Sequence, residues 1–322
     1  MNQLDVVTFG ETMVLLNPEE MLPLEYVHRF QKQIGGAESN VAIGLCRLGH
    51  SVGWFSRLGD DPFGRFVLRF IRGEGVDTSR CSFTDQAPHS LLFKEKLSPT
   101  NINVYYYRKQ GATSLLTPDD LDEEYIAGAK LLHLTGITPA LSASCRETVF
   151  AAIEMAKCHG VKIVFDPNLR LKLWSEQEAK TTLLAIAEQA DYILPGLDEG
   201  QFLTGEQMPE KVAAALRQKD PMKTVIIKLG SKGSFYQDQT GSNYVSGFPA
   251  PQVVDPIGAG DGFAAGVISG ILRGESWEQA LRRGNAVGAI VVGANGDVEG
   301  LPTESVVEQM LRGEHATQDV KR

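Results

Sequence analysis

The chain has 322 residues, 43% hydrophobic and 22% charged, an ordinary globular composition that allows one large α/β domain or two smaller ones. A formal net charge of −9 argues against duplex nucleic acid or an anionic membrane surface as a partner, because the long-range field repels both. No apolar run is long enough to span a bilayer, Met1-Asn2-Gln3-Leu4-Asp5 lacks a secretory pattern, and Cys46, Cys81, Cys145 and Cys158 form no CxxC pair, so a reduced, cytoplasmic protein is expected.

Residues 6–9 read as a strand, 41–45 as part of a helix, 52–55 as a strand and 131–134 as a short buried strand. A helix is expected over 144–159, with Val149, Ala152, Ile153 and Ala156 at helical spacing and Ser144 and Glu147 in capping-box form. Strands at 161–165, 191–194 and 224–227 follow, a second capping box stands at Ser175 and Glu178, and helices are expected at about 261–273, 277–293 and 303–312. Strands separated by helices predict an α/β fold with a mostly parallel central sheet and helices on both faces. Two stretches, about 11–34 and 90–108, are instead strand-like and alternating. Residues 91–96 and 102–107 flank Ser98-Pro99-Thr100, which suits a hairpin loop. The expectation is one continuous domain with these segments inserted as a small β-sheet lid.

In open parallel sheets, ligands bind beyond the carboxyl ends of the strands. Polar turns follow four expected strands: Asp166-Pro167-Asn168-Leu169-Arg170, Pro195-Gly196-Leu197-Asp198-Glu199, Lys228-Leu229-Gly230-Ser231-Lys232-Gly233, and, after Val253-Val254, Asp255-Pro256-Ile257-Gly258-Ala259-Gly260-Asp261. The last opens an apolar helical run at Phe263-Ala264-Ala265. A glycine turn at a helix start offers unpaired N–H groups at the positive end of the dipole, which suits phosphate. A carboxylate in that first turn, Asp261, can take a proton from a nucleophile beside the phosphate. There is no GxxxxGK[ST] and no HRD signature, and Phe263 stands where a dinucleotide fingerprint needs a third glycine.

The run from Asp255 to Phe263 resembles the carboxy-terminal signature of the ribokinase-like (PfkB) sugar kinases. Gly35-Gly36-Ala37-Glu38-Ser39-Asn40-Val41-Ala42 resembles their amino-terminal glycine motif, and Gly59-Asp60-Asp61-Pro62-Phe63-Gly64 is in the same style. The resemblance implies a ribokinase-like three-layer fold with a lid, and ATP-dependent phosphorylation of a sugar-like hydroxyl, with Mg2+ carried by the nucleotide and no protein-built metal site. It implies Asp261 as general base and the N–H groups of Gly258, Ala259 and Gly260 as an anion hole. Lys228, Gly230, Ser231 and Gly233 would hold the nucleotide, with Asn168, Leu169 and Arg170 near the phosphates, Glu199 near magnesium and Asn285 on the adenine side. It also implies homo-oligomers that pair through the lid.

The arginines bear on the acceptor. Tyr106 and Arg108 are two apart on an expected strand and share a face, and Arg170 sits in the strand-end loop. Two guanidinium groups at a cleft suit a carboxylate, which a neutral hexose lacks. Residues 166–174, Tyr106-Tyr107-Arg108 and Gly136-Ile137-Thr138-Pro139-Ala140-Leu141 are similar to the 2-keto-3-deoxygluconate kinases of the family. This implies a sugar acid phosphorylated at its 6-hydroxyl, with Gly36, Ala37, Glu38, Ser39 and Asn40 along the sugar, Tyr107 beside Tyr106 and Arg108, and Asp297 on a substrate hydroxyl. Leu92 stands where that group carries a pocket tyrosine, so one substrate hydrogen bond is expected to be missing. A fructokinase or other hexose kinase, a sugar sensor without catalysis and a nicotinamide-dependent oxidoreductase stand as alternatives. The arginines, the intact Gly-Ala-Gly-Asp run and Phe263 weigh against them in turn.

Overall fold

The protein is described from a computed structural model that covers residues 4–98, 101–250 and 253–313. Its strands are β1 (Leu4–Phe9), β2 (Met13–Pro18), β3 (Phe30–Gly35), β4 (Val52–Phe55), β5 (Arg57–Gly59), β6 (Ser82–Thr84) and β7 (Leu91–Ser98). They continue as β8 (Asn101–Tyr107), β9 (Ala129–Thr135), β10 (Lys162–Asp166), β11 (Tyr192–Ile193), β12 (Thr224–Lys228), β13 (Gly233–Gln237) and β14 (Ser242–Ser246). The large sheet runs β14-β13-β12-β11-β10-β9-β1-β4 and is parallel from β12 to β4.

Successive side chains of a strand point to opposite faces, and the two faces of this sheet carry separate apolar clusters. Val6, Trp54 and Ile226 pack with the helices Ala37–Arg47, Ala259–Leu272 and Trp277–Val291. Val7, Phe55 and Val225 pack with Ala143–Cys158, Glu176–Ala187 and Pro209–Arg217. Each such buried side chain contributes about 1.5–3 kcal/mol. Helices on both faces force the parallel strands to end on one edge, and that edge carries the polar turns.

Two local expectations are corrected, and one feature was not expected. The helix expected from residue 144 begins at Ala143, and its cap is Ser142, whose Oγ accepts the Cys145 N–H at 3.1 Å. The Ser175–Glu178 box is present as expected. Val253 and Val254 are not in a strand; the Val254 N–H donates to Val292 O at 2.8 Å, satisfying a carbonyl at a helix end that has no intrahelical partner. The chain after β12 also turns back at once, through a short 3-10 turn at Gly230–Lys232, which is too short for a crossover and makes β13 antiparallel.

The segments expected to break the α/β pattern form a second sheet, β3-β2-β7-β8. β2 and β7 are parallel, while β2–β3 and β7–β8 are antiparallel. Of the expected hairpin loop, Pro99 and Thr100 lie outside the described residues.

Candidate active site

Gly258 begins the site. Its φ of +86° is open to glycine at little cost, and a Cβ there would lie 2.7 Å from Asp297 O. The helix Ala259–Leu272 starts at the next residue, and the Ala259 N–H leans on Pro256 O at 3.4 Å. Asp261 sits in its first turn, part-exposed. Asn40 Nδ2 donates to Asp261 Oδ2 at 2.8 Å, and Asn168 Nδ2 reaches Oδ1 at 3.5 Å. Burial pushes the Asp261 carboxyl up to about 7; the Asn40 bond opposes this, Asp166 and Asp297 add to it, and Arg170 opposes it.

The loop after β10 is held from beneath. Glu199 Oε1 accepts the Leu169 N–H at 2.8 Å, and Oε2 accepts the Gly196 N–H at 2.7 Å. Asn168 has a φ of +38°, a left-handed backbone that Asn tolerates better than most side chains. Lys228 Nζ donates to both Asp166 oxygens, at 2.8 and 2.7 Å. Burial would lower the Lys228 ammonium, but Asp166 and Glu199 outweigh it and hold the proton firmly. Glu199 and Lys228 thus both have partners within the protein.

Two cavities meet here. The first, of about 320 Å³, is lined by Gly36, Ala37, Asn40, Tyr106, Arg108 and Arg170, with Asn168, Glu199, Asp261 and Asp297 also on its wall. The second is an apolar groove of about 700 Å³ lined by Gly230, Ser231, Gly233, Ala259, Phe263 and Asn285. Lys228, Pro256 and Gly260 line both. Asn285 Nδ2 donates to Val245 O and Ser246 O at 3.2 Å each, so its amide nitrogen is committed to the backbone of the groove wall.

Four expected residues stand elsewhere. Glu38 is fully buried, accepts from Thr135 Oγ1 at 2.6 Å and Thr138 Oγ1 at 2.7 Å, and has its pKa raised by burial. Ser39 Oγ accepts from Thr12 at 2.7 Å and donates to Gly36 O at 3.0 Å, beneath the cavity floor. A helix advances about 100° per residue, so Ala37 and Asn40 share the open side and the two between them turn inward. Tyr107 stacks edge-on with Phe93, ring centres 5.5 Å apart, on the strand face opposite Tyr106. Leu169, with Tyr107, lines a separate open cleft.

Other residues were missed. Glu11, just past β1, pairs with Arg108 and accepts from Ser90 Oγ at 2.7 Å. The strand-end rule points to that position. Lys94 on β7 lies 2.8 Å from Asp255 Oδ2 and 2.9 Å from Asp297 Oδ1. Its ammonium would be lowered by burial, but the two carboxylates raise it. The period of two along β7 puts it on the face of Leu92, which also lines the first cavity.

The structure thus brings together a helix start, a carboxylate with a raised pKa and two adjoining cavities. The sequence matches the profile of the pfkB family carbohydrate kinases over residues 3–304. The chain belongs to the pfkB family of carbohydrate kinases. This pfkB kinase is 42% identical over 321 residues to the 2-dehydro-3-deoxygluconokinase of Bacillus subtilis (strain 168), covering 99% of each. It is 34% identical to the 5-dehydro-2-deoxygluconokinase of Shouchella clausii (strain KSM-K16), covering 97% of each. The crystal structure of a PfkB protein from Polaromonas sp. JS666 superposes with a TM-score of 0.87 at 41% identity, over 95% of this chain and 99% of that one.

A pfkB kinase is a phosphotransferase, and its nucleotide brings a cation. Among the described residues, no three His, Cys, Asp or Glu side chains converge on a point that could hold a metal. Both oxygens of Glu199 accept N–H groups. A magnesium ion beside Glu199 would therefore be held chiefly by phosphate oxygens and water. No helix among the described residues is long and apolar enough to cross a membrane.

Proposed function

We propose that this pfkB kinase phosphorylates 2-keto-3-deoxygluconate, which is 2-dehydro-3-deoxygluconate, at its 6-hydroxyl, with ATP as donor. One observation carries the reading: Arg108, Arg170 and Asp261 line a single cavity. The acid has its carboxylate at one end and the 6-hydroxyl at the other. Arginines that grip the first leave the second for Asp261. The 42% identity to a 2-dehydro-3-deoxygluconokinase supports the same acceptor.

Asp261 accepts the hydroxyl proton as the oxygen bonds to the γ-phosphorus of ATP, whose bond to the bridging oxygen breaks so that ADP leaves. A base with a pKa near 7 suits the task, since about half of it is ionised at neutral pH and the ionised form still draws a proton well. The N–H groups of Gly258 and Gly260 are the anion-hole donors in this reading, joined by Ala259 when its long 3.4 Å bond to Pro256 O gives way to a phosphate oxygen; such a donor contributes about 2.7–4 kcal/mol. Gly230, Ser231 and Gly233 let the nucleotide approach the backbone, Asn285 borders its adenine end, and Asn168 and Glu199 border the phosphates. Magnesium, when bound, neutralises phosphate charge. Asp297 and Asn40 flank the acceptor. The small sheet acts as a lid inserted in a single domain and limits water at the site. Exposed Tyr26, Leu97 and Tyr105 on the lid support pairing of lids between copies of this chain. The cytoplasm is the compartment this reading assigns.

The second acceptor to weigh is 5-dehydro-2-deoxygluconate, favoured by the 34% identity to a kinase of that name. A neutral hexose brings the arginines no carboxylate, leaving Arg108 with Glu11 alone and Arg170 with the carbonyl of Leu169. A coupled ADP assay over both keto acids, gluconate and fructose decides. The reading requires that 2-keto-3-deoxygluconate give the largest kcat/KM. Faster turnover of fructose than of either acid would overturn it.

A further inference from the structure

Lys94 is 1% exposed, and its ammonium joins three parts of the molecule. It stands on the small sheet and contacts Asp255, which is fully buried, and Asp297. The second oxygen of Asp255 accepts the Ile257 N–H at 3.0 Å, one residue before Gly258. Asp297 belongs to the loop whose carbonyl crowds Gly258. Two positions along β7, Lys96 Nζ bonds Asn295 Oδ1 in that same loop, and Asn17 of β2 reaches Asn295 at 3.2 Å.

A buried ion pair is poor support for stability alone, because apolar side chains of the same volume fill such a space as well or better. An ammonium between two carboxylates does what an apolar side chain cannot: it fixes their separation and direction. Here those carboxylates belong to the two loops that set the backbone at the start of the helix Ala259–Leu272.

We propose that Lys94 is a positioning residue for phosphoryl transfer. It holds the turn from Asp255 to Gly260 against Asp297 and ties that arrangement to the seating of the small sheet. The inference rests on the reading of Asp261 and its neighbours as the transfer site. Lys94 lines the first cavity, but its ammonium is taken up by Asp255 and Asp297, and it acts through them. Without it, two buried carboxylates lose their cation and must take up a proton or draw in a small ion.

The test uses full-length Lys94→Ala and Lys94→Met beside the wild type, assayed with ATP and 2-keto-3-deoxygluconate. Lys94→Ala is expected to lose about 100-fold in kcat, the scale of a small misplacement, with the KM for ATP held within about threefold. Methylammonium chloride is expected to restore its turnover saturably, while tetramethylammonium chloride does not. Lys94→Met fills the space without charge, so it is expected to be as slow and to resist rescue. Either variant turning over within about threefold of the wild type would overturn the role. So would a folded Lys94→Ala enzyme that stays slow in saturating methylammonium, which would leave Lys94 a packing residue. If Lys94→Ala does not fold, Lys94→Met decides: a kcat loss with the ATP KM unchanged supports the role, and parallel loss in kcat and both KM values defeats it. Wild-type protein that forms no ADP with any acceptor would instead remove the transfer reading on which this role depends.

Discussion

The two cavities are built from opposite materials. The first is walled by charge: Arg108 with Glu11, Lys94 with Asp255 and Asp297, Lys228 with Asp166. The groove beside it is walled by glycines and apolar side chains, Phe248 and Phe263 among them, with Ser231 and Asn285 among its few polar groups. Recognition by side-chain charge discriminates sharply, because a ligand of the wrong charge leaves a buried group unpaired. Recognition by backbone and shape is tolerant of substitution. Under the proposed function, acceptor choice belongs to the first cavity and nucleotide holding to the second.

The strongest way to break the contrast is at the junction. Asp261→Asn is expected to lower kcat by roughly 10²–10⁴, with acceptor and ATP affinities within a few-fold by calorimetry. Near-normal turnover would remove Asp261 as the base. Next, Arg170→Ala is expected to raise the acid's KM about 10- to 100-fold, the loss of a charge-assisted hydrogen bond, with the ATP KM unmoved. Equal effects on both substrates would erase the division between the cavities. Ser231→Ala, in the groove, is expected to raise only the ATP KM, by about threefold to tenfold. A change in acceptor KM of that size would argue that the groove also reads the acid. The smallest effect concerns pH. With the Asp261 carboxyl at about 7, kcat/KM should rise with pH through that value as the base ionises. Arg170 lowers that pKa, so in Arg170→Ala the acidic limb should move to higher pH. A limb that stays in place would separate Arg170 from the base.

Much of this was legible because it is local. The Gly258–Asp261 turn, the strand-end loops and the alternation that set the small sheet apart are all patterns within about twenty residues. What stayed hidden needs distance in three dimensions. Lys94 meets Asp255 and Asp297 across 161 and 203 positions, and nothing in residues 91–96 announces either partner. Glu38 and Ser39 sit inside a glycine motif, yet only the helix phase reveals that they face inward. The antiparallel end of the large sheet was missed because residues 233–246 carry no strong alternating pattern, and their pairing is dictated by a short turn.

One joint has a mechanical consequence. β3 ends at Gly35, Gly36 caps the next helix, and Asn40 in its first turn holds Asp261. A Cβ on Gly36 would lie 2.4 Å from Glu11 O and 2.8 Å from Thr12 Cα, so the chain passes through a space that admits only glycine. The small sheet and the amide that meets Asp261 are thus coupled through one close-packed residue. A larger side chain at 36 would press on the sheet and on that amide together, so a single substitution there is expected to disturb both cavity wall and carboxylate at once.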